Sequence, residues 1–327
     1  MRTRITGAVF VVAVAFLATA CGGKGAATHF GLPTKNSQPA GITTGPDGNL
    51  WFTQFTSGRI GKVDTAGKIA EYKIPTDRPG PFDITTGPDG NLWFTEFSAD
   101  KIGRITPAGE ITEFPLPAKT GPYGITAGPD GNIWFAMQKS NKIARMSPSG
   151  EVKEFSIPWK GPQEPNPWGV AAGKDGNIWF TMQGTSKIGR MTPTGEITEF
   201  ALAEKAGPAD ITVGPDGHLW FTEVYAGMIG RITTDGQIAE YPIGRKKSAP
   251  KGITAAPDGN LWYTDLGTNR IGRITTSGEV KDYAIGGGYR QLQGIAAGPD
   301  GNIWFTETHA NTVSRHTLEN SQAEGKK

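Results

Sequence analysis

Beyond residue 20, apolar residues come in short bursts of three to five, and the bursts recur in a fixed order. The clearest is Leu50-Trp51-Phe52-Thr53, which follows Gly45-Pro46-Asp47-Gly48-Asn49 and returns six more times with nearly the same text. Its tryptophans, Trp51, Trp93, Trp134, Trp179, Trp220, Trp262 and Trp304, are spaced by 42, 41, 45, 41, 42 and 42 residues. Self-similarity at such a period marks a repeat architecture. Each unit predicts four short strands. Strand A reads Gly-Ile-Thr (Gly41 to Thr44, Gly124 to Ala127, Gly252 to Ala255), and Pro-Asp-Gly-Asn turns the chain into strand B, Leu-Trp-Phe-Thr. A polar loop leads to strand C, Lys101 to Ile105 in the second copy. Pro107-Ala108-Gly109-Glu110 then turns into strand D, Ile111 to Pro117.

Four antiparallel strands in each unit of roughly 42 residues predict an all-β, seven-bladed β-propeller over residues 28–318. A lone blade exposes both faces, and stacking against its neighbours buries them. The seventh copy has strands A, B and C but no D, and the tail 319–327 is polar. The missing strand stands at the other end, because His29-Phe30-Gly31-Leu32-Pro33 matches Glu71-Tyr72-Lys73-Ile74-Pro75. Residues 28–33 are therefore expected to close blade seven beside 312–317, with Phe30 near Val313.

Composition changes this picture little. Gly 47 and Pro 24 fall in phase with Trp and Ile, so they punctuate turns and do not signal disorder. The net charge of +2, from 33 basic and 31 acidic residues spread evenly, leaves no basic stripe for nucleic acid. The N-terminus does add information. Arg2 and Arg4 precede an uncharged apolar run, Ile5 to Ala20, which reads as a signal peptide over 1–20. Leu17-Ala18-Thr19-Ala20-Cys21 resembles a bacterial lipobox, so Cys21, the single cysteine, is the expected lipidation site, with 21–27 a tether. The alternative is ordinary secretory cleavage beside an incidental cysteine. Either way the chain is expected to be exported, and a lipid anchor at Cys21 is the only membrane contact expected. A monomer in the cell envelope is the expected state.

Internal repeats allow positions shared by all copies to be assigned to the fold, leaving those that differ on one face free for a ligand. The turn face is uniform; even His218 in one turn reads as a surface residue. The face of the D-to-A connections and B-to-C loops is variable. Just before strand A stand Ala40, Phe82, Tyr123, Trp168, Ala209, Lys251 and Gln293. Phe82, Tyr123 and Trp168 are expected as an aromatic wall opposite Lys251, Arg290 and Gln293, in a pocket for a small molecule or peptide. Trp168 could instead cap the loop 160–167. Glu307 and His309 form a carboxylate–imidazole candidate on this face, with Lys251 as a third group for catalysis and Glu307 for a metal. Glu96 and Glu223 read as edge ion-pair partners of the strand C Lys and Arg residues.

Gly-Pro-Asp-Gly-Asn-Leu-Trp-Phe-Thr-Glu, Lys-Ile-Gly-Arg-Ile-Thr and Gly-Glu-Ile-Thr-Glu-Phe-Pro-Leu-Pro resemble the repeats of the streptogramin B lyase (virginiamycin B lyase) family across 28–318. That resemblance implies a propeller that breaks the ester of a cyclic depsipeptide by elimination, as a carbon–oxygen lyase using Mg²⁺. It also places histidines just before strands A of blades six and seven, where this chain has Lys251 and Gln293. The acid expected two residues earlier falls on Gln291, and the metal-binding acid falls near Glu307 to Thr308. Gln293 cannot usefully accept a proton, and Lys251 can do so only if burial lowers its pKa. The expectation is a binding propeller without the catalytic set, with the lyase as the alternative and a protein-binding platform on the turn face as a third reading.

Overall fold

A computed structural model describes residues 27–318. The expected signal peptide, Cys21, most of the expected tether and the polar tail lie outside the described residues. Among the described residues, no helix is long and apolar enough to cross a membrane.

Seven four-stranded antiparallel sheets form a ring. Blade one shows the plan: strand A is Pro39–Thr44, B is Leu50–Gln54, C is Arg59–Val63 and D is Ile69–Lys73. Strand A is innermost and packs against the A strands of both neighbouring blades. The closing strand, Thr28–Gly31, joins the sheet of blade seven as its D strand, with Phe30 opposite Val313. The expected architecture is the observed one.

Each recurring residue has a mechanical role. The seven tryptophans are buried, and each indole N–H donates to the aspartate of its Pro/Lys-Asp-Gly turn, 2.9 Å for Trp51 to Asp47. In all seven blades the strand D aromatic stacks on this ring, Phe30 serving blade seven at 5.4 Å from Trp304. In blades two, four and seven the strand C Arg lies over the indole and donates to a carbonyl of the next blade, as Arg190 does to that of Thr234 at 2.7 Å. Burying a side chain of this size is worth on the order of 3 kcal/mol, so the seven apolar clusters between blades dominate the cohesion of the ring.

The strand C cations do not pair with the strand B acids as expected. Lys101, Lys142, Lys187 and Arg270 pair instead with strand D acids, Glu113, Glu154, Glu199 and Asp282. Glu96 and Glu223 are fully buried, and no donor reaches their carboxyl oxygens. Burial first, then the neighbouring Glu113, pushes Glu96 up to about 8; burial and Glu240 do the same to Glu223. Both carboxyls are thus held toward their protonated form.

Candidate functional site

Strand A starts two residues earlier than its Gly-Ile-Thr text indicates. The variable residue is thus the second residue of the strand and not part of the loop before it. In every blade the A–B register shifts between the first and fourth strand residues, as between Pro39 and Ile42. Such a bulge leaves two residues outside the ladder and re-aims their side chains, here toward the axis.

In six of the seven blades a threonine holds the bulge in place. Thr95 Oγ1 accepts the Asp83 N–H at 3.0 Å and donates to the Tyr123 carbonyl of the next blade at 2.8 Å. Thr53, Thr181, Thr222, Thr264 and Thr306 repeat this staple. Blade three has Ala136 instead. The Thr of the Trp-Phe-Thr phrase therefore fixes the backbone of the inner ring from which the site residues project.

The bulge residues line one cavity of about 460 Å³, including its mouth, at the end of the axis where the A strands begin. Phe82 and Tyr123 stack at 3.9 Å between ring centres, and Tyr123 meets Trp168 at 4.7 Å. Phe55 and Phe97 pack edge-on against this wall at 6.3 and 5.8 Å. Lys251 Nζ lies 3.5 Å from the centre of the Trp168 ring, and Gln293 completes the polar side. Trp168 lines the cavity, and its buried indole N–H has no partner.

Two lining residues escaped the sequence reading, Asp83 and Asp210. They occupy the third strand A position, which is glycine in the other five blades. Glycine is the rule there because the inner strands crowd: a Cβ on Gly124 would lie 2.2 Å from the Trp168 carbonyl, and one on Gly294 2.5 Å from that of Ala40. Each aspartate bridges two blades. Asp83 accepts the N–H of Ile84 at 2.9 Å and of Ile125 at 3.0 Å; Asp210 accepts those of Ile211 and Ile253, both at 2.9 Å. Comparing the copies at this position was the signal that could have found them.

These groups titrate together near neutrality. Burial, reinforced by the charge of Asp210, raises Asp83 to about 7. Burial raises Asp210 to about 6 against its backbone donors and Lys251. Burial lowers Lys251 to about 7, with Asp210 pulling the other way. One end of the axis thus offers an aromatic wall, an amine and two carboxyl groups able to exchange protons at neutral pH.

The remaining candidates lie elsewhere. Arg290 does not line the cavity; its Nη1 donates to Glu307 Oε2 at 2.6 Å and its Nε to the Gly286 carbonyl at 3.1 Å. Glu307 is fully buried and also bonds His29 Nδ1 at 2.9 Å and accepts from Thr312 at 2.9 Å. Burial alone would raise its carboxyl, but His29, Ser314 and Arg290 outweigh it and hold it below the usual range. The imidazole beside Glu307 is therefore His29 of the closing strand, and His309 packs near Tyr289 with ring centres 5.9 Å apart. Lys251, Glu307 and His309 are not brought together. With its oxygens engaged by Arg290 and His29, Glu307 does not fit a Mg²⁺ ligand. Among the described residues, no group of three or more His, Cys, Asp and Glu side chains is placed to hold a metal.

The fold and this axial cavity define a seven-bladed propeller with a central pocket on its D-to-A face. The chain belongs to the virginiamycin B lyase family, whose model matches residues 19–163 and 159–325. A streptogramin B lyase structure is 37% identical, covers 90% of this chain and 97% of its own, and superposes with a TM-score of 0.85. A catalytically inactive virginiamycin B lyase from Staphylococcus aureus, solved with quinupristin, is 38% identical, with 90% and 99% covered and a TM-score of 0.84. Hydrazine synthase of Kuenenia stuttgartiensis, 17% identical over 88% of this chain and 97% of its own with a TM-score of 0.72, shares the fold alone. No curated protein matches the chain significantly.

Proposed function

We propose that this chain is an exported, lipid-anchored, monomeric binding propeller whose axial pocket takes a small molecule or peptide bearing a flat ring, and that it lacks the family's lyase set. One observation carries this reading: Phe82, Tyr123 and Trp168 from three consecutive blades form a stacked wall inside a cavity that also holds Lys251, Asp83 and Asp210. An apolar wall with a few convergent polar groups is the usual form of a ligand site. A related propeller was solved with quinupristin, which makes a cyclic depsipeptide the natural first probe.

The absence of lyase chemistry rests on particular positions. Abstracting a proton α to the ester needs a base, and the developing enolate needs a cation. The family resemblance puts histidines at Lys251 and Gln293, and the carboxylate nearest to its metal position, Glu307, is committed to His29 and Arg290. Incubating the purified mature chain with a streptogramin B and Mg²⁺ tests the point by mass spectrometry. Intact cyclic compound is the expected result, and linearised product would restore the lyase reading.

A further inference from the structure

Lys251 is the only cationic side chain among the described residues lining the axial cavity. Its surroundings differ from those of the outer lysines. Lys101, Lys142 and Lys187 each hold a glutamate at 2.6–3.2 Å, whereas Lys251 forms no ion pair within 4 Å and instead rests on the Trp168 ring at 3.5 Å. Its backbone is fixed on both sides, the Lys251 carbonyl by Thr222 and the Gly252 N–H by Thr264. An amine held against an aromatic ring, free of an ion pair and facing a cavity, is placed as a nucleophile. Asp210 acts on it through space, and Asp83 shares the same chamber.

We propose that Lys251 forms a reversible imine with an aldehyde or ketone borne by a ring-containing ligand seated on the Phe82–Tyr123–Trp168 wall, making the axial pocket a carbonyl-capture site. This inference rests on the small-molecule reading of the same pocket. The Nζ lone pair attacks the carbonyl carbon, and the carbonyl π pair moves to oxygen, which takes a proton from the Asp83 carboxylic acid. The nitrogen gives one proton to the Asp210 carboxylate through solvent in the open chamber, since the two groups are not in contact. Asp210 then returns it to the carbinolamine hydroxyl, which leaves as water while the C=N bond forms. The iminium passes its N–H proton to Asp83, restoring both acids. Amine and carbonyl become imine and water, with no change in oxidation state.

The test uses the full mature chain at pH 7 with benzaldehyde and sodium cyanoborohydride, followed by peptide mass spectrometry. The N-benzyl label is expected on Lys251 at least about tenfold above any other lysine, because each pKa unit changes the neutral-amine fraction about tenfold. Lys251→Arg keeps a cation over Trp168 and is expected to remove this label alone. Asp210→Asn is expected to slow labelling by roughly 10²-fold, the usual effect of losing an acid–base group. Label spread evenly over the surface lysines, with Lys251 at or below their level, would overturn the proposal. Benzyl alcohol, which has no carbonyl, separates the two failures in a parallel thermal-shift measurement. If it stabilises the chain and loses that effect in Phe82→Ala while benzaldehyde fails to label Lys251, only the imine is refuted. If it does not stabilise the chain and no label forms, the pocket reading falls too.

Discussion

At the scale of single residues, the seven copies act as controls for one another. The last residue of strand B faces a strand D partner across a small strand C residue, and the pair changes from blade to blade. Gln54 donates to Glu71 at 2.9 Å; Glu307 takes His29; Glu96 and Glu223 face other glutamates. The two acid pairs carry a pH consequence. An ordinary glutamate in the unfolded chain loses its proton near 4.3, whereas native Glu223 keeps its own up to about 8. The native state therefore binds more protons across this window, and stability falls as pH rises through it. Glu223→Gln, imitating Gln54, is expected to stabilise the protein by about 1–3 kcal/mol at pH 8.5 and to do much less at pH 4.5. Urea denaturation at the two pH values measures this; an equal effect at both would show that the carboxyl does not titrate as described.

The same comparison shows what was legible in the sequence. Phe82, Tyr123, Trp168, Lys251 and Gln293 stood out because they vary where Gly-Ile-Thr does not. Asp83 and Asp210 were hidden in a position read as glycine, the residue demanded by crowding around the axis. Arg290 and Glu307 were misleading in the opposite way: both lie on the variable face, but strand register directs them to each other and to His29. Pairing between residues 278 apart cannot be seen in local text.

At the scale of elements, the bulge that opens strand A is the feature from which the site is built. The threonine of strand B accepts from the bulge and donates to the next blade, so one hydroxyl sets the aim of two blades. The sequence announced this residue in six copies without revealing its role, since a strand threonine normally signals only propensity. The closing strand was legible by contrast, because its text matches other D strands. Phe30, 7% exposed, stacks on Trp304 and fills the space above Gly67. Phe30→Ala is expected to cost about 3–5 kcal/mol, the usual price of emptying a buried aromatic site. Chemical denaturation measures it, and a loss below about 1 kcal/mol would mean that this strand does not close the ring.

At the scale of the whole molecule, seven similar sheets around one axis place the second and third residue of each A strand in a single chamber. No blade has a site of its own. The chamber inherits three rings from blades two to four, an amine from blade six and carboxyls from blades two and five. Family membership carries the fold across, while chemistry depends on these few positions, which repeats leave free to change. The turn face, with its uniform Asp-Gly turns, is occupied in holding tryptophans and leaves little for recognition.

The most direct test is a calorimetric titration of the native chain, Tyr123→Ala and Tyr225→Ala with quinupristin. Tyr123 sits mid-wall, whereas Tyr225 is 66% exposed and does not line the chamber. The expected result is binding by the native chain and by Tyr225→Ala, with Tyr123→Ala weaker by at least about tenfold, the loss of one well-packed aromatic anchor. Equal affinity in all three proteins would contradict the placement of the ligand at the axis.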